Sequence, residues 1–220
     1  MQFWSDYRVF WRETRRHFRT TGAVLPSSPF LAKALAASLE GARPAYRILE
    51  VGPGTGAVTK AIAKQLRPGD TLDAVELNQQ FVEQLRARIA KDDDFDGARE
   101  QIRIIHSSLE DIPGDAVYDA IISGLPLNSF PSTLVRRIFE AYSRLLKPGG
   151  TLSYFEYSLV RQLQTPFVNR IERRRLYRVG QVVDEYIKAF QVHRERVFMN
   201  VPPAVVRHLK LKPLEPAVIA

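Results

Sequence analysis

The twelve residues Ile48-Leu-Glu-Val-Gly-Pro-Gly-Thr-Gly-Ala-Val-Thr59 constrain this chain more than any other stretch. A short apolar run leads into three glycines at alternate positions, Gly52, Gly54 and Gly56, and then into residues with a helical pattern. Glycines here permit a tight turn with positive φ and carry no Cβ to obstruct a ligand pressed against the backbone. The helix that follows opens with N–H groups that have no partner inside it. Strand, glycine turn and helix in this order imply a pocket for a nucleotide-like ligand at the end of a strand. With no ligand to accommodate, three glycines would only add conformational entropy to the unfolded chain.

Two kinds of ligand suit such a turn. Gly52-Pro-Gly-Thr-Gly-Ala57 satisfies the dinucleotide fingerprint G-x-G-x-x-G/A, and Glu76 follows about 20 residues on, where that fingerprint wants a ribose-binding acid. Glu50 argues the other way, because an acid two residues before the first glycine would repel a pyrophosphate but can receive a cationic amino group. The spacing E-x-G-x-G-x-G resembles motif I of the class I S-adenosylmethionine-dependent methyltransferases, whose ligand carries an ammonium and a sulfonium and no phosphate. That resemblance implies that Glu50, Gly52, Gly54 and Gly56 meet the methionine end of the cofactor. It also implies that Glu76 takes both ribose hydroxyls and that Leu77 flanks the adenine.

The rest of the chain repeats the strand and helix unit. Strands are expected over Tyr46–Val51, Thr71–Glu76, Ile102–His106, Tyr118–Ser123 and Thr151–Tyr157. Helices are expected from Pro29 to about Leu39 with Ser28 as N-cap, from Thr55 to about Leu66, from Asn78 to about Ile89 and from Ser132 to Leu146, with Lys147-Pro-Gly-Gly150 as a sharp turn. Tyr118–Ser123 is almost continuously apolar, as a strand covered on both faces should be. This alternation predicts an α/β, Rossmann-like doubly wound sheet, mostly parallel, with its ligand crevice at the carboxyl ends of the strands. Gln164–Ala189 reads as arginine-rich helix, an insertion at about 160–189. It precedes a hairpin of Gln191–Met199 and Ala204–Leu211 joined at Asn200-Val-Pro-Pro203. A terminal antiparallel hairpin, making seven strands, is what the methyltransferase resemblance implies.

A chain of 220 residues with 45% apolar content suffices for one well-buried core. It contains no cysteine, so disulfides and thiolate metal sites are excluded, and no metal site is expected. No stretch is long and apolar enough for a membrane span, and a cytoplasmic location is the expectation. The net charge of +8 calls for an anionic partner. Its arginines cluster at 8–19 and 161–178, outside the glycine-turn unit. Within residues 1–21, Phe3, Trp4, Tyr7, Phe10, Trp11 and Phe18 recur at helical spacing with the arginines mostly opposite. Such a helix suits a membrane interface, or could dock on the domain 22–220 itself.

The strand-end loops complete the candidate site. Many relatives carry an aspartate after the third strand, facing the adenine amino group; here His106-Ser-Ser-Leu-Glu110 brings Ser108 and Leu109 to that place, with Glu110 or Asp111 as substitutes if the turn is shifted. After the fourth strand, Ser123-Gly-Leu-Pro-Leu127 would set the carbonyls of Gly124 and Leu125 beside the transferred methyl, with Ser123 at the cofactor. RNA adenine dimethyltransferases have N-x-P-[YF] at this place, and Gly124-Leu-Pro-Leu127 lacks both the Asn and the aromatic residue. The alternative of an RNA methyltransferase is thereby disfavoured, and no nucleic-acid partner is expected.

The aromatic, arginine-rich first helix, Gly22–Ala32, Leu49–Gly56, Ser123–Leu127, Leu146–Gly150 and Arg194–Ala204 together resemble the bacterial phospholipid N-methyltransferases, which convert phosphatidylethanolamine towards phosphatidylcholine. The resemblance covers nearly the whole chain. It implies S-adenosylmethionine as methyl donor, S-adenosylhomocysteine as product, and an anionic membrane surface with a phospholipid substrate as partners, at the inner face of the cytoplasmic membrane. Arg12, Arg16, Arg174 and Arg194 are candidates for the lipid phosphate, Tyr7 for orienting the headgroup, and Ser28 for the cofactor. Glu13, His17, Tyr154 and Tyr157 are candidates for accepting the amine's proton.

Overall fold

A computed structural model describes residues 27–158 and 170–211. The predicted helix over 1–21, with Tyr7, Arg12, Glu13, Arg16 and His17, lies outside the described residues, as do residues 159–169 of the predicted insertion.

Seven strands form one sheet: β1 (Arg47–Val51), β2 (Thr71–Glu76), β3 (Ile102–His106), β4 (Tyr118–Ser123), β5 (Leu146–Tyr157), β6 (Gln191–Val197) and β7 (Ala204–Leu209), in the order β3-β2-β1-β4-β5-β7-β6. β1 to β5 are parallel, and β7 runs antiparallel to both β5 and β6. The chain leaves β1 towards β2 on one side and returns to β4 on the other, so the strand order reverses at β1 and β4 and opens a crevice beyond their carboxyl ends.

Alternation along β1 assigns the two faces. Ile48 joins a core beneath helices α1 (Pro29–Ala36) and α2 (Ala57–Ala63), together with Leu72, Ile122, Phe155 and Val206. Leu49 and Val51 join the opposite core, under α4 (Ser132–Leu145) and α5 (Arg170–Phe190), with Ile121, Tyr142, Leu152 and Tyr154. Helix α3 (Gln79–Lys91) closes the β2–β3 edge through Leu85 and Ile89 over Ala74.

The expected caps form. The Ser28 hydroxyl accepts from the Leu31 N–H at 3.2 Å with Pro29 in the first turn, and the Asn78 side chain accepts from the Gln80 and Phe81 N–H groups. Three expectations need correction. Helix α2 starts at Ala57, because Gly56 occupies the left-handed region at φ 84° and cannot continue back to Thr55. The first helix is α-helical only to Ala36 and tightens to a 3-10 turn over Ala37–Leu39. Lys147–Gly150 is not a turn ahead of β5 but a bulge within it: Tyr118 pairs with Leu146 and Ala120 already pairs with Thr151. Lys147 is held there by both oxygens of Asp119, at 2.9 Å each.

Acids in the amino-terminal half of the sheet are all matched. Asp70 takes Arg43 as a fork at 2.8 and 2.7 Å and also accepts the Tyr46 and Arg67 N–H groups. Asp73, on β2, receives Arg103, Arg47 and the Tyr118 hydroxyl. Burial alone would raise the Asp73 pKa; the bonds from Arg103, Tyr118 and Arg47 outweigh that and hold it below the usual aspartate value. Its contribution to stability is therefore present above about 3.8 and is lost as pH falls through the lowered folded value. Asp73→Asn should cost about 1 kcal/mol at neutral pH, chiefly through the buried Tyr118 hydroxyl, since Arg47 and Arg103 are exposed and their loss is screened by water. Paired thermal melts should show the gap to wild type closing as the pH is lowered below about 3.8.

Candidate cofactor and acceptor site

At the crevice the three glycines of the turn serve three different needs. Gly52 lies at φ 70° and a Cβ there would come within 2.8 Å of the Leu125 side chain. Gly56 lies at φ 84° and a Cβ would fall 2.6 Å from Leu85 of α3. Only Gly54, at φ 55°, faces open space with nothing within 4 Å. All three glycines take the positive φ the turn was expected to need; Gly52 and Gly56 must also be small because the chain itself packs on them, and Gly54 leaves room above the turn.

The loop after β4 presses on the same turn. The Gly124 N–H donates to the Val51 carbonyl at 2.8 Å, and a Cβ on Gly124 would stand 2.7 Å from the Gly52 carbonyl oxygen. Gly124 is therefore obligatory for the backbones of β1 and β4 to close together at the switch point. Ser123 is fully buried, and its hydroxyl receives the Tyr142 hydroxyl at 2.7 Å and the Leu125 N–H at 3.2 Å. This side chain braces the loop from below. The Leu125 carbonyl accepts the Leu127 N–H at 3.0 Å, and the Leu125 and Leu127 side chains fill the core.

Two carboxylates end the neighbouring strands. Glu76 is buried, its oxygens accepting the Gly54 N–H at 3.2 Å and the Asn78 N–H at 2.8 Å, so it ties β2 to the glycine turn. Glu50 is also buried, and neither of its oxygens has a hydrogen-bond partner. Desolvation lifts its pKa to about 8; Thr59, facing it from α2, draws the value partly back without bonding geometry, and the Glu76 charge adds to the rise. An acid in this condition is short of a cation. The pair fits a ligand with an ammonium and two hydroxyls and opposes one with a pyrophosphate.

Elsewhere the sequence candidates separate. Leu77 presents its carbonyl to the His106 ring at 3.0 Å. The buried Ser108 hydroxyl donates to Asp111 at 3.0 Å, so the acid missing from position 108 is present three residues on, hydrogen-bonded to the serine that stands there. The Leu109 side chain points into the core, so its backbone is what it can present to the crevice. All three polar groups of Ser28 are engaged: its hydroxyl caps α1, its N–H donates to the Asn200 side chain at 3.0 Å, and its carbonyl accepts the Ala32 N–H at 2.9 Å.

Tyr154 is fully buried with its hydroxyl donating to Glu156 at 3.3 Å, and burial raises the Tyr157 pKa, so neither stands ready to take a proton. Arg174 is exposed on the first turns of α5, at the crevice end. Arg194 sits midway along edge strand β6, roughly 10 Å short of that end at about 3.3 Å per residue. One functional contact was not foreseen: Arg175 donates to the carbonyls of Asn128 at 2.8 Å and Phe130 at 2.9 Å, clamping the loop after β4 to α5. A lone intermediate arginine on a basic helix gives no sequence signal for such a role. Among the described residues, no cluster of His, Asp and Glu could hold a metal ion.

Comparison with known proteins agrees with this geometry. Residues 48–150 match the "Methyltransferase domain" family. An ornithine lipid N-methyltransferase from Singulisphaera acidiphila is 31% identical over 151 residues, which cover 68% of this chain and 77% of the relative. A ribosomal RNA small subunit methyltransferase A from Parasynechococcus marenigrum is 30% identical over 106 residues, only 33% of that protein. The O-methyltransferase TomG of Streptomyces achromogenes, solved with S-adenosylmethionine, superposes with TM-score 0.59 at 18% identity, covering 83% of this chain and 79% of TomG. An α/β fold with this sheet order and an acid-lined glycine turn define a nucleotide-cofactor enzyme. The chain belongs to the class I S-adenosylmethionine-dependent methyltransferases, and its cofactor is S-adenosylmethionine.

The glycine contrast is open to a direct test. Gly56→Ala should lower stability by about 2 kcal/mol or more, from overlap with Leu85 and the positive φ. Gly54→Ala should cost only about 1 kcal/mol, from φ alone, yet weaken cofactor binding at least tenfold by calorimetry. For Glu50 the sign of linkage is opposite to that of Asp73. Its folded pKa lies above the unfolded value, so between pH 4.5 and about 8 the unfolded chain holds fewer protons and stability falls as pH rises. Unliganded Glu50→Gln should therefore gain on wild type across that window, by a few kcal/mol at pH 8 in denaturant titrations.

Proposed function

We propose that this enzyme N-methylates an amine-bearing membrane lipid, phosphatidylethanolamine and its mono- and dimethyl forms, working at the inner face of the cytoplasmic membrane. The observation that carries the reading is the crevice itself: a cation-hungry acid beside an open glycine turn, next to Gly124-Leu-Pro-Leu127, which has neither the Asn nor the aromatic residue of a base-gripping N-x-P-[YF] motif. The lipid relative supports an amine headgroup as acceptor, and the shorter match to the ribosomal RNA enzyme gives less support to RNA. The same lipid relative favours a second acceptor, the amine of an ornithine lipid, with otherwise identical chemistry.

When bound, S-adenosylmethionine supplies a sulfonium methyl as electrophile. In this reading Glu50 receives the amino acid ammonium and becomes ionised, and Glu76, held against the glycine turn by Gly54 and Asn78, accepts the ribose hydroxyls. Leu77 flanks the adenine, and Ser108 with Asp111 faces its amino group. The backbone carbonyl of Gly124, with that of Leu125, accepts a hydrogen bond from the lipid amine and aims its lone pair. The lipid ammonium must first lose a proton, which passes to water or to a base from residues 1–21, because Tyr154 is sealed in the core. Tyr7 orients the headgroup, and Arg12, Arg16 and Arg174 neutralise the phosphodiester. The aromatic helix of residues 1–21 holds the enzyme to the anionic leaflet.

Incubation with methyl-labelled cofactor and vesicles of phosphatidylethanolamine or of ornithine lipid, followed by lipid extraction and chromatography, tests this. Label in mono-, di- and trimethylated phosphatidylethanolamine is the expected result. Label only in ornithine lipid would establish the second acceptor, and label in neither would overturn a lipid substrate.

A further inference from the structure

The hairpin that closes the sheet is built inside out at its tip. Six large hydrophobic side chains are strongly exposed among the described residues, and three of them, Phe198 at 72%, Met199 at 68% and Val201 at 73%, fall within four consecutive positions between β6 and β7. A fourth, Phe30 at 55%, opens helix α1 beside the same tip. The polar residue of the segment is turned inward: Asn200 is buried, its carbonyl oxygen accepting the Ser28 N–H at 3.0 Å and its amide donating to the Pro202 carbonyl at 2.7 Å. The Ser158 N–H donates to the Pro203 carbonyl at 2.9 Å and fastens the other side. Three large apolar groups are thus presented to water by a loop anchored at both flanks, an arrangement that burial in the protein's own core does not explain.

Position and charge say what the patch meets. β7 begins opposite Tyr157, the last residue of β5, so the tip projects from the carboxyl ends of the parallel strands, the end at which the crevice opens. Helix α5 runs down to the start of β6, which places its first turns at that same end, and Arg173, Arg174 and Arg178 are exposed there. An apolar prow and a basic helix start therefore flank the acceptor side of the crevice. This is the pattern of a surface that dips apolar side chains into the headgroup boundary while arginines meet anionic phosphates.

We infer that the tip Phe198–Val201, with Phe30 beside it, is a membrane-insertion element that seats the crevice mouth on an anionic bilayer. It is a contact separate from residues 1–21, and it rests on the reading of a lipid acceptor. Insertion replaces water around three side chains with the acyl boundary, and the anchored backbone means that little ordering is needed on contact.

The absence of cysteine permits a direct probe. Val201→Cys in the full chain, labelled with an environment-sensitive dye, should shift to the blue on addition of phosphatidylglycerol vesicles, which hold no amine to methylate. It should also be quenched by shallow nitroxide lipids. A dye on Asp115→Cys, exposed at the opposite end of the sheet, should show neither change. Phe198→Ser with Met199→Ser and Val201→Ser should weaken vesicle binding about tenfold or more while leaving cofactor affinity and the thermal midpoint unchanged. An unshifted dye with vesicles, or unaltered vesicle binding of the triple variant, would overturn the inference. A dye already blue-shifted without vesicles would also overturn it, since the patch would then be covered by the chain's own segment 1–26. Because amine-free vesicles are used, a failed lipid methylation assay leaves these readings unaffected.

Discussion

The site depends on one close approach, that of the Gly52 turn to the Gly124 loop. A bond from the Gly124 N–H to the Val51 carbonyl and a gap that no Cβ could enter bring the ends of β1 and β4 together. Neighbouring contacts follow from this. Leu125 can lie over Gly52, Ser123 can hold the Leu125 N–H and Tyr142 from beneath, and Glu76 can reach across to the Gly54 N–H. The crevice is thus shaped mainly by backbone contacts between strand ends, which tolerate little change in residue size.

Charge is distributed along the strands with the same economy. In the amino-terminal half every described acid discussed above is matched, Asp70 by Arg43, Asp73 by three donors and Asp119 by Lys147. At the carboxyl ends the pattern changes: Glu50 is left buried with no hydrogen-bond donor, while Glu76 holds the Gly54 and Asn78 N–H groups. The matched end stabilises the fold, whereas the unmatched end carries a cost that a cationic ligand removes, and sites of strained electrostatics of this kind mark function.

Much of this was legible beforehand. The fold class follows from alternating periodicities, and the ends of β2, β3 and β4 come out as read because each is bounded by a turn residue or a cap. Glu50 was recognisable because an acid within an apolar strand has few structural uses. What sequence could not separate was the reason behind each glycine, since packing on Leu85 and openness to a ligand leave the same letter at positions 56 and 54. The inward aim of the Ser123 and Tyr154 side chains was hidden for a related reason: along a strand, one residue of register decides whether a side chain faces the crevice or the core. The Lys147–Gly150 bulge looked like a turn because its glycines serve a detour within a strand as well as an end to one.

The guanidinium of Arg175 has a mechanical meaning beyond its two hydrogen bonds. It joins α5, whose exposed arginines point outward at the crevice end, to the carbonyls of Asn128 and Phe130 at the far side of the acceptor loop. A displacement of the start of that helix is passed to the loop through one nitrogen shared by two carbonyls. The acceptor loop therefore has a lever attached to the outside of the molecule, and whatever grips the helix also sets how far the loop can yield.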